Sequence, residues 1–302
     1  MSVRALPPIL AEKARVELNE DPNRIKDDLQ SIKDWLAKQP HLRARTDDQW
    51  LVAFLRGCKF SLERTKEKLD MFYTLRSTAP DLFRIKHTDP LFDEILGLGS
   101  YLILPNAPAP DAPRIGIVRP GQYDSNKYHI LDILSVSNTL QKIMLIEDDQ
   151  ATVAGEQSIL DLDEVGIGHF LQMTPVTMKK MVTLGQDASP LRQIFDFINK
   201  KNINFIIIMY LHILKLQLYV HNKNYEAMYK IIPKEILPEE YGGSGGSVAD
   251  IVEYWRNKVK QYSSWLEEDE KYGSDESKRP GKPKTSEDMF GVEGSFRQLQ
   301  FD

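Results

Sequence analysis

From about Leu91 onward the chain alternates short apolar runs, each bounded by Pro or Gly, with longer amphipathic stretches. That alternation is the strongest constraint on the fold. Strands separated by helix-length crossovers pair in parallel, so the expected product is an α/β layer whose sheet is largely parallel and backed by helices. The expected strands are Ser100–Leu104, Arg114–Arg119, Ser158–Leu162 and Phe195–Ile198. The expected helices are Ile130–Asp149, Thr174–Leu184, about Asn202–Leu218, and Tyr225–Ile231. Four prolines between Pro105 and Pro113 mark a surface loop.

The first 80 or so residues read as helices only. Ile25, Leu29, Ile32, Trp35 and Leu36 fall on one face of a helix that stops near Pro40. Thr46 followed by Gln49 reads as a capping box ahead of Trp50, Leu51, Phe54 and Leu55, and Ser61 as the cap of a helix carrying Leu62, Leu69, Phe72 and Tyr73. At the other end, a Gly/Ser hinge follows Tyr241-Gly242-Gly243. A helix begun by Ser247 then carries Ile251, Trp255, Val259, Tyr262 and Leu266. Glu267 to Asp288 is charged and rich in turn formers, so an extended or disordered tail is expected there, with Phe290, Phe296, Leu299 and Phe301 able to dock its end. No repeat is present.

Composition narrows the function. The 302 residues hold 39 Lys and Arg against 44 Asp and Glu, a net charge of −5, which offers a phosphate backbone no long-range attraction, so no nucleic-acid partner is expected. Cys58 is alone and can form neither an internal disulfide nor a Cys-based zinc site. Lys13 and Arg15 interrupt the start where a secretory leader needs apolar residues, and the apolar run Phe205 to Leu211 is far short of the ~20 residues that span a bilayer. A cytoplasmic protein is expected.

Gly242-Gly243-Ser244-Gly245-Gly246 satisfies the G-x-S-x-G pattern of a nucleophile elbow, but an elbow follows a buried strand and needs a later histidine. Here Pro238-Glu239-Glu240 precedes it and His221 is the last of six histidines. A turn before a helix is the better reading, and the chain is not expected to be an enzyme. His129, His169, His212 and His221 lack metal-ligand spacing, so no metal or other cofactor is expected. Glu147-Asp148-Asp149 reads as a solvated helix end. Met173, Met178, Met181, Leu184 and Leu191, with Phe170 and Phe195, can line a filled core or a hollow one, and periodicity does not separate the two.

Several motifs carry a family resemblance. Arg56-Gly57-Cys58-Lys59-Phe60-Ser61 resembles the amino-terminal module of the CRAL-TRIO (Sec14-like) lipid-transfer proteins. Ile159-Leu160-Asp161-Leu162-Asp163, His169-Phe170, Thr174-Pro175, Lys179-Lys180 and Gln186-Asp187 through Pro190-Leu191-Arg192 resemble the core of their lipid-binding domain. Ile236-Leu237-Pro238-Glu239-Glu240-Tyr241-Gly242-Gly243 resembles its closing signature. The tail from Asp269 resembles that of insect members described as α-tocopherol-transfer-protein-like.

The resemblance implies an α/β cage with a mobile lid helix, preceded by a small all-α lobe: a helical lobe at 1–85, a lipid-binding domain at 90–246, and a carboxy-terminal helix and tail at 247–302. It implies a monomeric carrier of one hydrophobic lipid, tocopherol-, retinoid- or carotenoid-like, that meets membranes transiently. By the same resemblance the ligand-facing positions are Ser137, Gln141, Leu160, Phe170, Met173, Met181, Leu184, Leu191 and Phe195. Ser137 can equally bond its own helix backbone. Of the basic residues with which the tocopherol branch holds phosphoinositide headgroups, Arg192 and Lys215 remain, while Gln193, Ile194, Ile213 and Gln217 stand where others are expected. The alternative is a phosphoinositide-binding trafficking regulator with an idle pocket.

The resemblance fails over Ile198 to Tyr219, which is shorter than the family's lid. Apart from His212 and Gln217 this stretch contains only Ile, Asn, Lys, Phe, Met, Tyr and Leu. Phe205, Ile206, Met209, Ile213, Leu216 and Val220 keep helical spacing, but Ile207, Ile208, Leu211 and Leu214 spread apolar surface around most of the circumference. The stretch reads either as a diverged, membrane-seeking lid or as translated AT-rich noncoding sequence.

Overall fold

The computed structural model describes residues 2–198 and 225–291. The expected lid, 198–219, falls outside the described residues beyond its first position, as does Lys215.

The amino-terminal lobe is built from α1 (Pro8–Leu18), α2 (Ile25–Leu36), α3 (Asp48–Gly57) and α4 (Leu62–Thr78). The apolar stripe of α2 places Leu29, Ile32 and Leu36 in the core, against Trp50, Phe54 and Phe72, whose rings meet at tilted or edge-on angles. The lobe is not helices only: β1 (Leu42–Arg43) lies between α2 and α3. The Thr46–Gln49 capping box does not form, because α3 starts one residue later than that pattern requires, with Asp47 at its N-cap. Gln49 is drawn into tertiary bonds instead, accepting from the Arg4 N–H at 3.0 Å and donating to Asp149 at 2.9 Å. Ser61 does occupy the N-cap of α4, but its side chain makes no capping bond.

After α5 (Pro90–Gly97) the chain enters the α/β layer through β2 (Tyr101–Ile103) and β3 (Arg114–Val118). It continues with α6 (Ile130–Glu147), α7 (Asp149–Ala154) and β4 (Glu156–Asp161). α8 (Ile167–Leu171), α9 (Pro175–Val182) and β5 (Gln193–Ile198) follow. The sheet order is β2-β3-β4-β5, with β2 antiparallel to β3 and the other pairings parallel, as the alternation predicted. The expected helix 130–149 is two helices. Asp148 leaves helical geometry and its carboxylate accepts the Ala151 N–H, capping α7.

The acidic trio at that break is not a solvated end. Glu147 pairs with Lys258, Asp148 with Arg114, and Asp149 receives Arg56 at 2.9 Å and Arg4 at 2.8 Å. Arg56 is fully buried and also holds Glu20 at 2.9 Å. The trio therefore ties the lobe and the carboxy-terminal helix to the sheet layer.

Past α10 (Tyr225–Tyr229), the chain forms α11 (Val248–Gln261) and α12 (Ser263–Asp269). Ser247 begins α11 as expected, and it forms a reciprocal cap with Asp250. Ile251, Trp255, Val259 and Leu266 are buried. The glycine run before α11 is a bonded turn rather than a loose hinge. Gly242 and Gly246 have φ of 70° and 93°, and the Gly243 and Gly245 N–H groups donate to Pro238 and Leu237.

Of the extended or disordered tail expected over 267–288, the disordered reading is corrected. The tail returns as β6 (Gly273–Ser274), antiparallel to β1, and ends in α13 (Ser286–Phe290). Arg279 pairs with Asp70 at 2.9 Å, and Phe290 joins the core. One hydrophobic cluster runs from Leu29 through the sheet to Phe290.

Candidate ligand-binding site

Strand register and side-chain alternation place Tyr101, Gly116, Ser158, Glu156 and Leu160 on one face of the sheet. The opposite face carries Leu102, Ile115, Ile117 and Ile159, all fully buried. The first face meets α6, from which Gln141 donates to the Tyr101 hydroxyl at 3.1 Å.

Tyr101 in turn donates to Glu156 Oε1 at 2.8 Å, and Ser158 Oγ donates to the same oxygen at 3.2 Å. A Cβ at position 116 would stand 2.4 Å from Glu156 Oε1, so only glycine leaves room for this carboxyl. Glu156 has no exposed surface, and its Oε2 has no hydrogen-bond partner. Burial, the largest effect, raises its pKa against the opposing bonds from Tyr101 and Ser158. Gln193, its register partner on β5, and Gln141 ease that burial without bonding Oε2. Burial and the neighbouring Glu156 likewise push the Tyr101 phenol well up.

This network escaped the sequence reading. The expected strand began at Ser158, which left Glu156 outside it. The available signal was a glutamate directly after Gly155, at the head of the run that leads into Ile159-Leu160.

The residues expected to face a ligand are placed as follows. Ser137 is buried and donates to its own helix at Ile133 O, 2.8 Å away. Gln141 belongs to the Tyr101–Glu156 network. Leu160 is half-buried on β4, aligned with Val118 and Phe197. Phe170, Met173 and Met181 are half-buried on and around α8 and α9. Leu184 lies in the π-helical turn Thr183–Ala188 that extends α9, and both it and Leu191 belong to the main core cluster. Phe195 sits opposite Ser158 on β5; its side chain lies outside the described residues. Of the two phosphoinositide positions, Arg192 donates to Val153 O and faces Glu17 at 3.7 Å. On α8, Ile167 and Leu171 are 78% and 75% exposed.

Ser244 sits behind the short 3-10 turn Glu239–Tyr241 rather than a strand, so the nucleophile-elbow geometry is not formed. Among the described residues no group of three or more His, Cys, Asp or Glu could hold a metal ion, and no helix is long and apolar enough to cross a membrane.

A sheet face walled by helices, with apolar side chains and one buried polar network, is the arrangement expected of a lipid cage. Residues 106–243 match the family model of the CRAL/TRIO domain, and residues 21–95 that of the Pinta-like, UBA domain. The chain therefore carries a CRAL/TRIO domain over residues 106–243, which bears out its resemblance to the CRAL-TRIO lipid-transfer proteins. It is 29% identical over 247 residues to the Homo sapiens protein named alpha-tocopherol transfer protein-like, a match covering 79% of this chain and 71% of that one. It is 29% identical over 252 residues to clavesin-2 of Rattus norvegicus, covering 79% and 75%. The solved structure titled "Crystal structure of Sfh5" covers 82% of this chain and 92% of its own, with a TM-score of 0.47 at 11% identity.

Proposed function

We propose that this protein binds one hydrophobic lipid between the sheet face of Leu160 and the helices α6, α8 and α9, and carries it between membranes without transforming it. The observation that carries the reading is the half-burial of Leu160, Phe170, Met173 and Met181 beside a core where most apolar side chains are sealed. Those four, with Leu184 and Leu191, would supply the apolar contacts. At ~25 cal/mol per Å² removed from water, a long hydrocarbon tail binds there through burial alone. The likeness to the protein named alpha-tocopherol transfer protein-like supports a tocopherol-like lipid. Exposed Ile167 and Leu171, one helical turn apart, offer a membrane surface two apolar side chains that water does not favour.

Phosphoinositide would add little on this reading. Arg192 is already held by Val153 and Glu17, so meeting a headgroup would first break contacts inside the fold.

Native mass spectrometry of the protein from its own source is expected to show one lipid per chain. Leu160→Asp places a charge on the half-buried wall and should abolish lipid pick-up from donor vesicles, with the melting temperature little changed. It is preferred to Leu184→Asp, which would wreck the packed core. Adding phosphatidylinositol bisphosphate to acceptor vesicles should change transfer less than twofold. A folded wild-type protein that takes up no lipid would overturn the reading.

A further inference from the structure

Glu156 is a buried acid without a counter-ion among the described residues. Arg114, its register partner on β3, turns to Asp148 and to Pro105 O. Arg192, whose carbonyl accepts the Glu156 N–H at 2.8 Å, turns its guanidinium to Val153 and Glu17. Oε1 is saturated by two donors, the Tyr101 and Ser158 hydroxyls, while Oε2 is bare. An unmet buried polar atom costs about 1–3 kcal/mol, so a chain that keeps one beside an intended ligand has left a valence to be filled.

We propose that the cage reads an uncharged, oxygen-bearing end of its lipid through Glu156, whose side chain, seated over Gly116 and held by Tyr101 and Ser158, presents Oε2 to a hydroxyl or carbonyl oxygen. This rests on the lipid-cage reading above and names the class of lipid that fits it. With Oε1 accepting from both neighbours, the proton of the neutral acid belongs on Oε2, where it donates to the ligand's oxygen. Burial favours that neutral form. A hydroxyl has the further capacity to donate to Oε2 when the acid is ionised. A hydrocarbon end would leave Oε2 bare. An anionic end would put a second negative group beside the acid with both nearby arginines committed elsewhere. Of the two polar wall positions that the resemblance implies, Ser137 has its hydroxyl occupied by Ile133 O and Gln141 donates to Tyr101, which leaves Glu156 as the polar end of this wall.

The test is displacement of a fluorescent apolar dye from the full chain by 1-hexadecanol and by hexadecane, read as the ratio of their half-displacing concentrations. Comparing that ratio between variants cancels the different solubilities of the two probes. In Glu156→Leu the preference for the alcohol should fall about tenfold relative to wild type, with dye binding retained. Glu156→Gln, which keeps an acceptor for Tyr101 and a donor toward the ligand, should hold the preference within about twofold. If Glu156→Leu does not fold, Glu156→Met is read in the same way. A ratio unchanged in the apolar variant would overturn the anchor while leaving the cage intact. Failure of both probes and the dye to load the wild type would overturn the cage and the anchor with it.

Discussion

Two carboxylates, Asp269 at the end of α12 and Glu156 on β4, are buried to nearly the same degree, 1% and 0% exposed, and are treated in opposite ways. Asp269 is met by Arg45 at 3.3 Å, Arg76 at 2.7 Å and Lys142 at 3.0 Å. Burial works against its charge, but Lys142, Arg76 and Arg45 hold its pKa down to about 2. Glu156 is met by two hydroxyls and no cation, and its pKa rises. At the seam between the lobe, α6 and the tail each charge meets an opposite charge, although Arg76 Nε makes no bond of its own. The cage wall is an open polar structure, built with a position unfilled. Burial alone does not say whether a polar group is structural; the completeness of its partners does.

The largest effect that would break this contrast is at the seam. Asp269→Ala removes the buried carboxylate shared by Arg45, Arg76 and Lys142, and removing one member of such a set costs about 3–5 kcal/mol. Urea unfolding of this variant should show a loss of that size. A loss under about 1 kcal/mol would mean that the seam is no more closed than the wall.

The second effect sharpens the contrast through pH. Asp269 has a folded pKa below its unfolded value of 3.8, so its contribution is complete above that value and is lost as pH falls through about 2. The stability gap between wild type and Asp269→Ala should therefore narrow by about 2 kcal/mol between pH 4 and pH 2. Glu156 has a raised folded pKa, so the sign reverses. Wild type is favoured below Glu's usual 4.5 and loses ground to Glu156→Gln as pH rises above it. Parallel pH profiles for the two sites would contradict the assignment of opposite roles.

The smallest effect is at Ser137. Its hydroxyl bonds the Ile133 carbonyl within one helix, an interaction that does little for a helix already formed. Ser137→Ala should change stability by less than ~0.5 kcal/mol and leave the alcohol-to-alkane ratio unmoved. A tenfold change in that ratio would move the polar end of the cage from Glu156 to Ser137.

How far the fold was legible depends on how local each signal is. The start of α11 at Ser247 is a local signal, and it formed as read, with Asp250 three residues on completing the cap. The Thr46–Gln49 pair has the same local form and did not, because Arg4 and Asp149, 45 and 100 residues away, compete for Gln49. The charge and the turn formers of 267–288 suggest an extended or disordered tail, with Phe290 able to dock its end. Arg279 and Lys284 instead find Asp70, more than 200 residues earlier, and Phe290 fills a place in the core.

By itself the sequence determined the order of the four sheet strands and the largely parallel sheet, because these follow from apolar periodicity and from turn residues acting over a few positions, while short motifs carried the family resemblance. Only the tertiary structure decided what each buried charge meets. It set Asp149 among Arg4, Arg56 and Gln49, gave Asp269 to cations as distant as Arg45, 224 residues earlier, and left Glu156 Oε2 without a partner. A carboxylate's protonation and role are set by the partners and solvent within a few ångströms of it, and chain folding brings those partners from positions that no local pattern connects.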